Sequence, residues 1–151
     1  MILIYTHQIT NRIKYTFDLI FNSILGAELS FTSDTQTFEN YTGAKLSYTI
    51  KSINNELHFP SADLLFSEGV NQNALTYMSD SDFINTIDPF AFCFIMATRY
   101  EEYLPFLPDN HNRFSAINSI AYKNNYLLKP VVNILAEKIK KELFSKRQLK
   151  H

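Results

Sequence analysis

Tryptophan is missing from this chain, and glycine occurs only 3 times, at Gly26, Gly43 and Gly69. Glycines so far apart exclude a phosphate-cradling loop, so neither the Walker pattern nor the dinucleotide fingerprint can be assembled. Cysteine occurs once. Cys93 therefore has no partner for a disulfide within the chain, and its setting in FAFCFIMA reads as a small buried hydrophobe in a reducing, cytoplasmic compartment. Charge of one sign is scarce as well: a net charge of −1 gives no field that recruits a polyanion, and Lys146, Arg147 and Lys150 read as a solvated helix end. The longest apolar stretch, Phe90 to Ala97, falls far below the roughly 20 residues that span a bilayer. The amino terminus, MILIYTHQITNRIKY, places its apolar segment before its basic residues, the reverse of a secretory signal. Neither nucleic acid nor membrane is an expected partner.

What is present describes a well-furnished core. Hydrophobic residues make up 46% of 151 residues and charged residues 19%, which suits one globular domain that buries roughly 68–70% of its unfolded surface. Ile2 to Tyr5 has the apolar character of a buried strand, and Thr10 or Asn11 offers an N-cap for a following helix. Ile13, Phe17, Ile20 and Ile24 form that helix's stripe, and Gly26 suits the left-handed position beyond its end. Ala27 to Thr32 reads as a second strand, completing a βαβ unit. A polar connection with one short helical turn leads to a third strand at Leu46 to Ile50. A turn at Asn54-Asn55 then leads to a fourth, Glu56 to Phe59, paired with the third and ending before Pro60. Between Ser67 and Thr86 the pattern weakens, with one strand expected at Ala74 to Met78.

Asp88-Pro89 is a helix start: the aspartate caps orphan N–H groups, and proline at the first helical position lacks only a donor the helix does not use. The helix is expected to run to Tyr103, central and apolar on every side at first, emerging with its last turn. A final helix opened by Pro130 carries Val132, Leu135, Ile139 and Leu143 on its buried stripe, with Glu137 and Lys141 paired on its surface. The expected architecture is α/β (or α+β). A small mixed sheet starts with the βαβ unit over residues 1–60, an irregular part covers 61–87, and a helical part with a central apolar and a C-terminal amphipathic helix covers 88–151.

The chemistry concentrates behind the apolar helix, in RYEEYLP and DNHNRF. Arg99 and Arg113 supply guanidinium forks, Glu101, Glu102 and Asp109 can accept them, and Tyr100, Tyr103 and Phe114 can shield the contacts, so the residues read as a charged latch or docking patch. A desolvated Arg99 would make its loss cost ~3–5 kcal/mol, against ~0–1 for a surface pair. Asp109 and His111, with His7 and His58 elsewhere, fall short of three ligands in a metal-binding frame, so no metal or cofactor is expected. Glu101 and Glu102, adjacent on a helix, point about 100° apart and do not make an acid/base pair by themselves. Ser115 and Ser119 lack a nucleophile elbow. Tyr100, Tyr103, Tyr122 and Tyr126 remain as an aromatic platform for glycan.

The blocks DLLFSEG, DPFAFCFIMATRYEEYLP, DNHNRF and SIAYKNNYLLKPVVNI, with the opening ILIYTHQITNRIKY, resemble in the same order an uncharacterised domain at the amino terminus of bacterial polysaccharide deacetylases. The resemblance implies a non-catalytic accessory domain in carbohydrate metabolism that docks on a deacetylase module in cis, or a shortened copy that has lost it. The zinc chemistry belongs to that module, and no catalytic residue carries over. Asn112 stands where a DxHGRF-like block has glycine, and asparagine tolerates the left-handed conformation. The segment from Gly69 to Thr86 is shorter than in the proteins it resembles. A glycan-binding module, or a small hydrolase built on Glu101, Glu102, Asp109 and His111, is the alternative expectation.

Overall fold

Strand β1 (Ile2–Tyr5) lies in the interior of a four-stranded sheet, where its apolar run directs it. The computed structural model describes residues 1–53, 56–61, 63–70, 86, 88–104, 108–115, 119–123 and 128–149. Strands β2 (Leu29–Thr32), β3 (Lys45–Thr49) and β4 (Leu57–Pro60) complete the sheet in the order β2-β1-β3-β4. Ile4 pairs with Phe31 on one side and Leu46 on the other, and Tyr48 pairs with Phe59. Strand alternation thus puts Ile2, Ile4, Leu46, Tyr48 and Phe59 on one face, all in the core.

Helix α1 (Asn11–Phe17) follows β1 and continues as π-helix through Asp18–Ile24. Thr10 caps it, accepting the Ile13 N–H at 3.1 Å, and Gly26 ends it at φ 66°. Its stripe residues Ile13, Phe17 and Ile20 are fully buried, as the spacing predicts. Helix α2 (Thr35–Asn40) connects β2 to β3, and Asp34 caps it, with the Thr37 hydroxyl and N–H holding the Asp34 carboxyl below the usual carboxylate range. The Phe38 ring of α2 lies 5.6 Å from Tyr5 and 4.9 Å from the Lys45 ammonium, both on the sheet face opposite the core. Helices on both faces of a parallel sheet make a doubly wound arrangement.

All three strand pairings are parallel, which corrects the expectation of a mixed sheet. The connection over residues 50–56 is far shorter than the dozen or so residues that usually cross between parallel strands, and a link that short ordinarily makes an antiparallel hairpin. Glu56 organises it from within. Its buried Oε1 accepts the Ser47 hydroxyl at 2.9 Å, the Ser52 hydroxyl at 3.0 Å and the Ile53 N–H at 2.8 Å. Asn54 and Asn55 lie outside the described residues, as does the strand expected at Ala74 to Met78. Pro60 is the last residue of β4 rather than its boundary, and an edge strand admits it.

Helix α3 (Pro89–Thr98) is buried from Pro89 through Ile95 and packs against α1. Its apolar girth requires this, because it has no face to offer water. The Phe90 ring stacks on Phe17 at 4.1 Å and meets Tyr48 and Phe59 edge-on at 5.3 and 5.1 Å. Asp88 caps the helix through the Ala91 N–H at 3.0 Å and accepts the Tyr48 hydroxyl on its other oxygen. Cys93 is fully buried, and burial pushes its thiol well above the usual range, so it serves as a hydrophobe. A short helix α4 (Ile120–Lys123) precedes α5 (Val131–Leu149). The buried stripe of α5 begins at Val131, not Val132, and continues through Leu135, Ile139 and Leu143. Its surface ion pair is Lys138–Glu142 at 3.9 Å, where Glu137–Lys141 was expected. The helix starts at Val131, directly after Pro130, and i+4 spacing counted from there gives Leu135, Ile139 and Leu143 for the buried stripe.

Tyr48→Phe is expected to cost about 1.5–3 kcal/mol, because a buried carboxylate loses a charge-assisted donor while the ring packing stays. Urea unfolding monitored by far-UV circular dichroism measures it. A loss no larger than that of a surface substitution would show that the cap stands without the phenol.

Candidate functional site

Helix α3 does not reach Tyr103. It stops at Thr98 because Arg99 adopts the left-handed conformation (φ 55°, ψ 43°), with its N–H returning to the Ile95 carbonyl. Glycine takes this place most readily, and a side chain there costs roughly 1–2 kcal/mol. The chain then tightens into a 3₁₀ turn, Tyr100–Tyr103, closed by the Glu102 N–H on the Arg99 carbonyl at 3.0 Å. The reversal turns the Arg99 side chain outward to pair with Glu102.

The facing wall is the loop 108–115. Pro108 and Phe114 form an antiparallel bridge, and the Asp109 N–H donates to the Arg113 carbonyl at 2.8 Å. Inside the loop, Asp109 Oδ1 accepts the N–H groups of His111 at 2.8 Å and Arg113 at 3.0 Å. Asn112 completes the turn at φ 60°, the left-handed geometry that asparagine tolerates and that the glycine comparison anticipates. Arg99 and Asn112 are the only non-glycine residues with positive φ among the described residues, and they serve the two walls of one cleft.

That cleft has a volume of about 660 Å³ and is lined by Arg99, Glu102, Tyr103, Asp109, Arg113, Phe114 and Ser115. Most of the polar residues singled out in the sequence therefore meet. Glu101 and His111 are not in its lining, and His111 is exposed. Tyr100 is buried, with its ring 6.0 Å from Phe94, so it is no part of an aromatic platform. Tyr103 is exposed on the cleft, Tyr122 is half-exposed elsewhere, and Tyr126 lies outside the described residues. Among the described residues no three His, Cys, Asp or Glu side chains come together as a metal site. The acid/base cluster of Glu101, Glu102, Asp109 and His111 does not line one cleft: one oxygen of Asp109 is taken up by its own loop, and Glu101 and His111 are outside the lining.

The desolvated latch expected at Arg99 is not formed: the Arg99 side chain is 74% exposed and that of Arg113 is 70% exposed. Another arginine has that role. Arg12, at the start of α1, donates to the carbonyls of Leu64 (2.9 Å) and Gly69 and to the Ser67 hydroxyl (3.3 Å). Its guanidinium also lies 5.2 Å from the Phe94 ring centre and 5.9 Å from that of Tyr100. The Tyr100 hydroxyl approaches the Gly69 carbonyl at 3.4 Å, so one arginine ties α1, the 3₁₀ turn Asp63–Phe66 and the base of the cleft together. The turn itself is held against the connection between β1 and α1 by the Thr10 hydroxyl on the Leu65 carbonyl and by Phe66 stacking 4.2 Å from His7.

A second polar group, on the sheet face away from the core, escaped sequence reading. Ser47 is fully buried; its hydroxyl donates to Glu56 at 2.9 Å, and its oxygen lies 2.9 Å from Nδ1 of His58. Burial lowers its pKa from the ordinary imidazole value, and the Glu56 charge opposes that shift. Alternation marks the trio in the sequence, since Ser47 and His58 interrupt LSYT and LHFP at the positions facing away from the core. Ser47 is inaccessible as a nucleophile, and the network ties β3 to β4.

Arg99→Gly is expected to stabilise the domain by up to about 1 kcal/mol, since relief of left-handed strain exceeds the worth of an exposed ion pair. Arg99→Ala, which keeps the strain, is expected to lose stability slightly. Paired thermal melts check the signs. A glycine variant that melts no higher than the alanine variant would mean that Arg99 is not strained.

Comparison with curated proteins finds no match, and comparison with solved structures finds none. No helix among the described residues is long and apolar enough to cross a membrane. One family description matches residues 2–148, nearly the whole of this α/β fold with its cleft, and by that match the chain belongs to the family of unknown function DUF7033.

Proposed function

We propose that this domain is a non-catalytic accessory module that docks on a carbohydrate deacetylase module, with the cleft as part of the contact. The observation that carries this reading is the pair of exposed arginines, Arg99 at a strained helix end and Arg113 beside the left-handed Asn112 of the facing loop. Neither ion pair adds much to folding, since exposed pairs are worth about 0–1 kcal/mol. Strain kept at an exposed site is a mark of function rather than of stability. The sequence resemblance supplies the partner, and among the described residues of the lining no nucleophile–base pair comes together. A reducing, cytoplasmic setting suits the single buried thiol of Cys93. A second reading, glycan binding without chemistry, draws on the exposed Tyr103 beside the charged pairs.

Calorimetric titration of the domain with a deacetylase module from one of the proteins it resembles tests the docking. Saturable binding is expected, weakened at least about tenfold by Arg99→Glu or Arg113→Glu through reversal of contact charges. Binding that ignores both reversals, or no binding at all, would sink the proposal. A saturable response to an oligosaccharide, lost with Tyr103→Ala and unaccompanied by docking, would favour the glycan reading instead.

A further inference from the structure

The four charges of the cleft balance, but their exposure does not. The Glu102 and Asp109 side chains are 27% and 31% exposed, while those of Arg99 and Arg113 are 74% and 70% exposed. The carboxylates therefore sit beneath and the guanidinium groups project. Hydrogen-bonding capacity is skewed the same way. Asp109 Oδ1 already takes two backbone N–H groups, and its Oδ2 lies 3.9 Å from Arg113 Nε, which leaves both terminal nitrogens of Arg113 uncommitted. Arg99 commits only Nη2, to Glu102. A guanidinium carries five N–H donors and no acceptor, so what the cleft offers an incoming group is a surplus of forked donors.

From this skew we infer that the group received by the cleft is a carboxylate, presented by an aspartate or glutamate side chain of the docked partner. The inference rests on the docking reading and names its chemistry. A planar monoanion matches the two parallel N–H bonds of a guanidinium fork. The recessed Glu102 and Asp109 cancel the field that a phosphate dianion would need, so the cleft selects the singly charged group. Glu102 also orients Arg99 before the partner arrives, by a pair spaced i,i+3, while Asp109 stands 3.9 Å from Arg113 Nε. The exposed Tyr103 ring and Phe114 flank the forks and can cover the aliphatic stem of such a side chain.

The test titrates the isolated domain with N-acetylglutamic acid amide and with its neutral isostere N-acetylglutamine amide, reading the arginine Nε–H resonances by nitrogen-15 NMR. The glutamic acid probe is expected to give saturable shifts at Arg99 and Arg113, and the glutamine probe at least about tenfold weaker ones, the worth of a charge-assisted fork. Arg113→Gln should abolish the response, and Arg99→Gly, which the left-handed backbone welcomes, should weaken it without unfolding the domain. Equal responses to the two probes, a response untouched by both substitutions, or tighter binding of inorganic phosphate than of the glutamic acid probe would each overturn the carboxylate assignment. If docking stays sensitive to arginine reversal while the probes fail, only the carboxylate chemistry falls. If the probes bind and the deacetylase module does not, the docking partner falls instead.

Discussion

A helix with no polar face must be surrounded, and the burial of α3 is the constraint from which most of this domain follows. Its N-terminus is deep in the core, where orphan N–H groups would be costly unless met. Pro89 has none to offer, and Asp88 accepts the Ala91 N–H at the cost of burying its own carboxylate, which the Tyr48 hydroxyl makes tolerable. Phe90, one residue past the start of the helix, is then enclosed by Phe17 of α1, Tyr48 of β3 and Phe59 of β4. The cap and the ring stack fix α3 against the sheet and against α1. They also decide where the helix emerges, and so where the charged residues behind it meet water.

At that point the chain makes a choice that stability alone does not explain. Arg99 occupies the position where glycine would end the helix without strain, while the left-handed position on the facing loop falls to Asn112, a residue that tolerates it. The fold's own need for an arginine is met elsewhere. Arg12 gathers carbonyls from the 63–70 segment and lies over two rings at the end of α3, in a half-buried place where its donors are well used. Structural work and surface presentation are thus divided between different arginines. Arg99 and Arg113 are left projecting above the carboxylates of Glu102 and Asp109.

Much of the framework was legible in the sequence because it is written in local patterns. The stripe at Ile13, Phe17 and Ile20, the cap at Asp88, and Gly26 beyond the first helix each follow from spacing or from one residue's chemistry. The cleft was legible in its members but not in its form. No residue pattern announces that a helix will break at an arginine, since propensity places that residue comfortably inside one. Arg12 was invisible for another reason: its hydrogen-bond partners lie more than 50 residues away, and nothing adjacent to it signals a tie. The parallel pairing of β3 and β4 was hidden by a connection too short for the usual crossover, which the buried oxygen of Glu56, shared by three donors, helps to hold.

The division between a structural arginine and two presented ones is the central claim, and comparative urea unfolding of Arg12→Ala, Arg99→Ala and Arg113→Ala tests it most directly. Arg12→Ala should lose about 2–3 kcal/mol, from charge-assisted hydrogen bonds and ring contacts given up together. The other two should each stay within about 1 kcal/mol of the parent, the range of an exposed pair. An Arg99→Ala variant destabilised as much as Arg12→Ala would contradict the division and return Arg99 to the role of a latch.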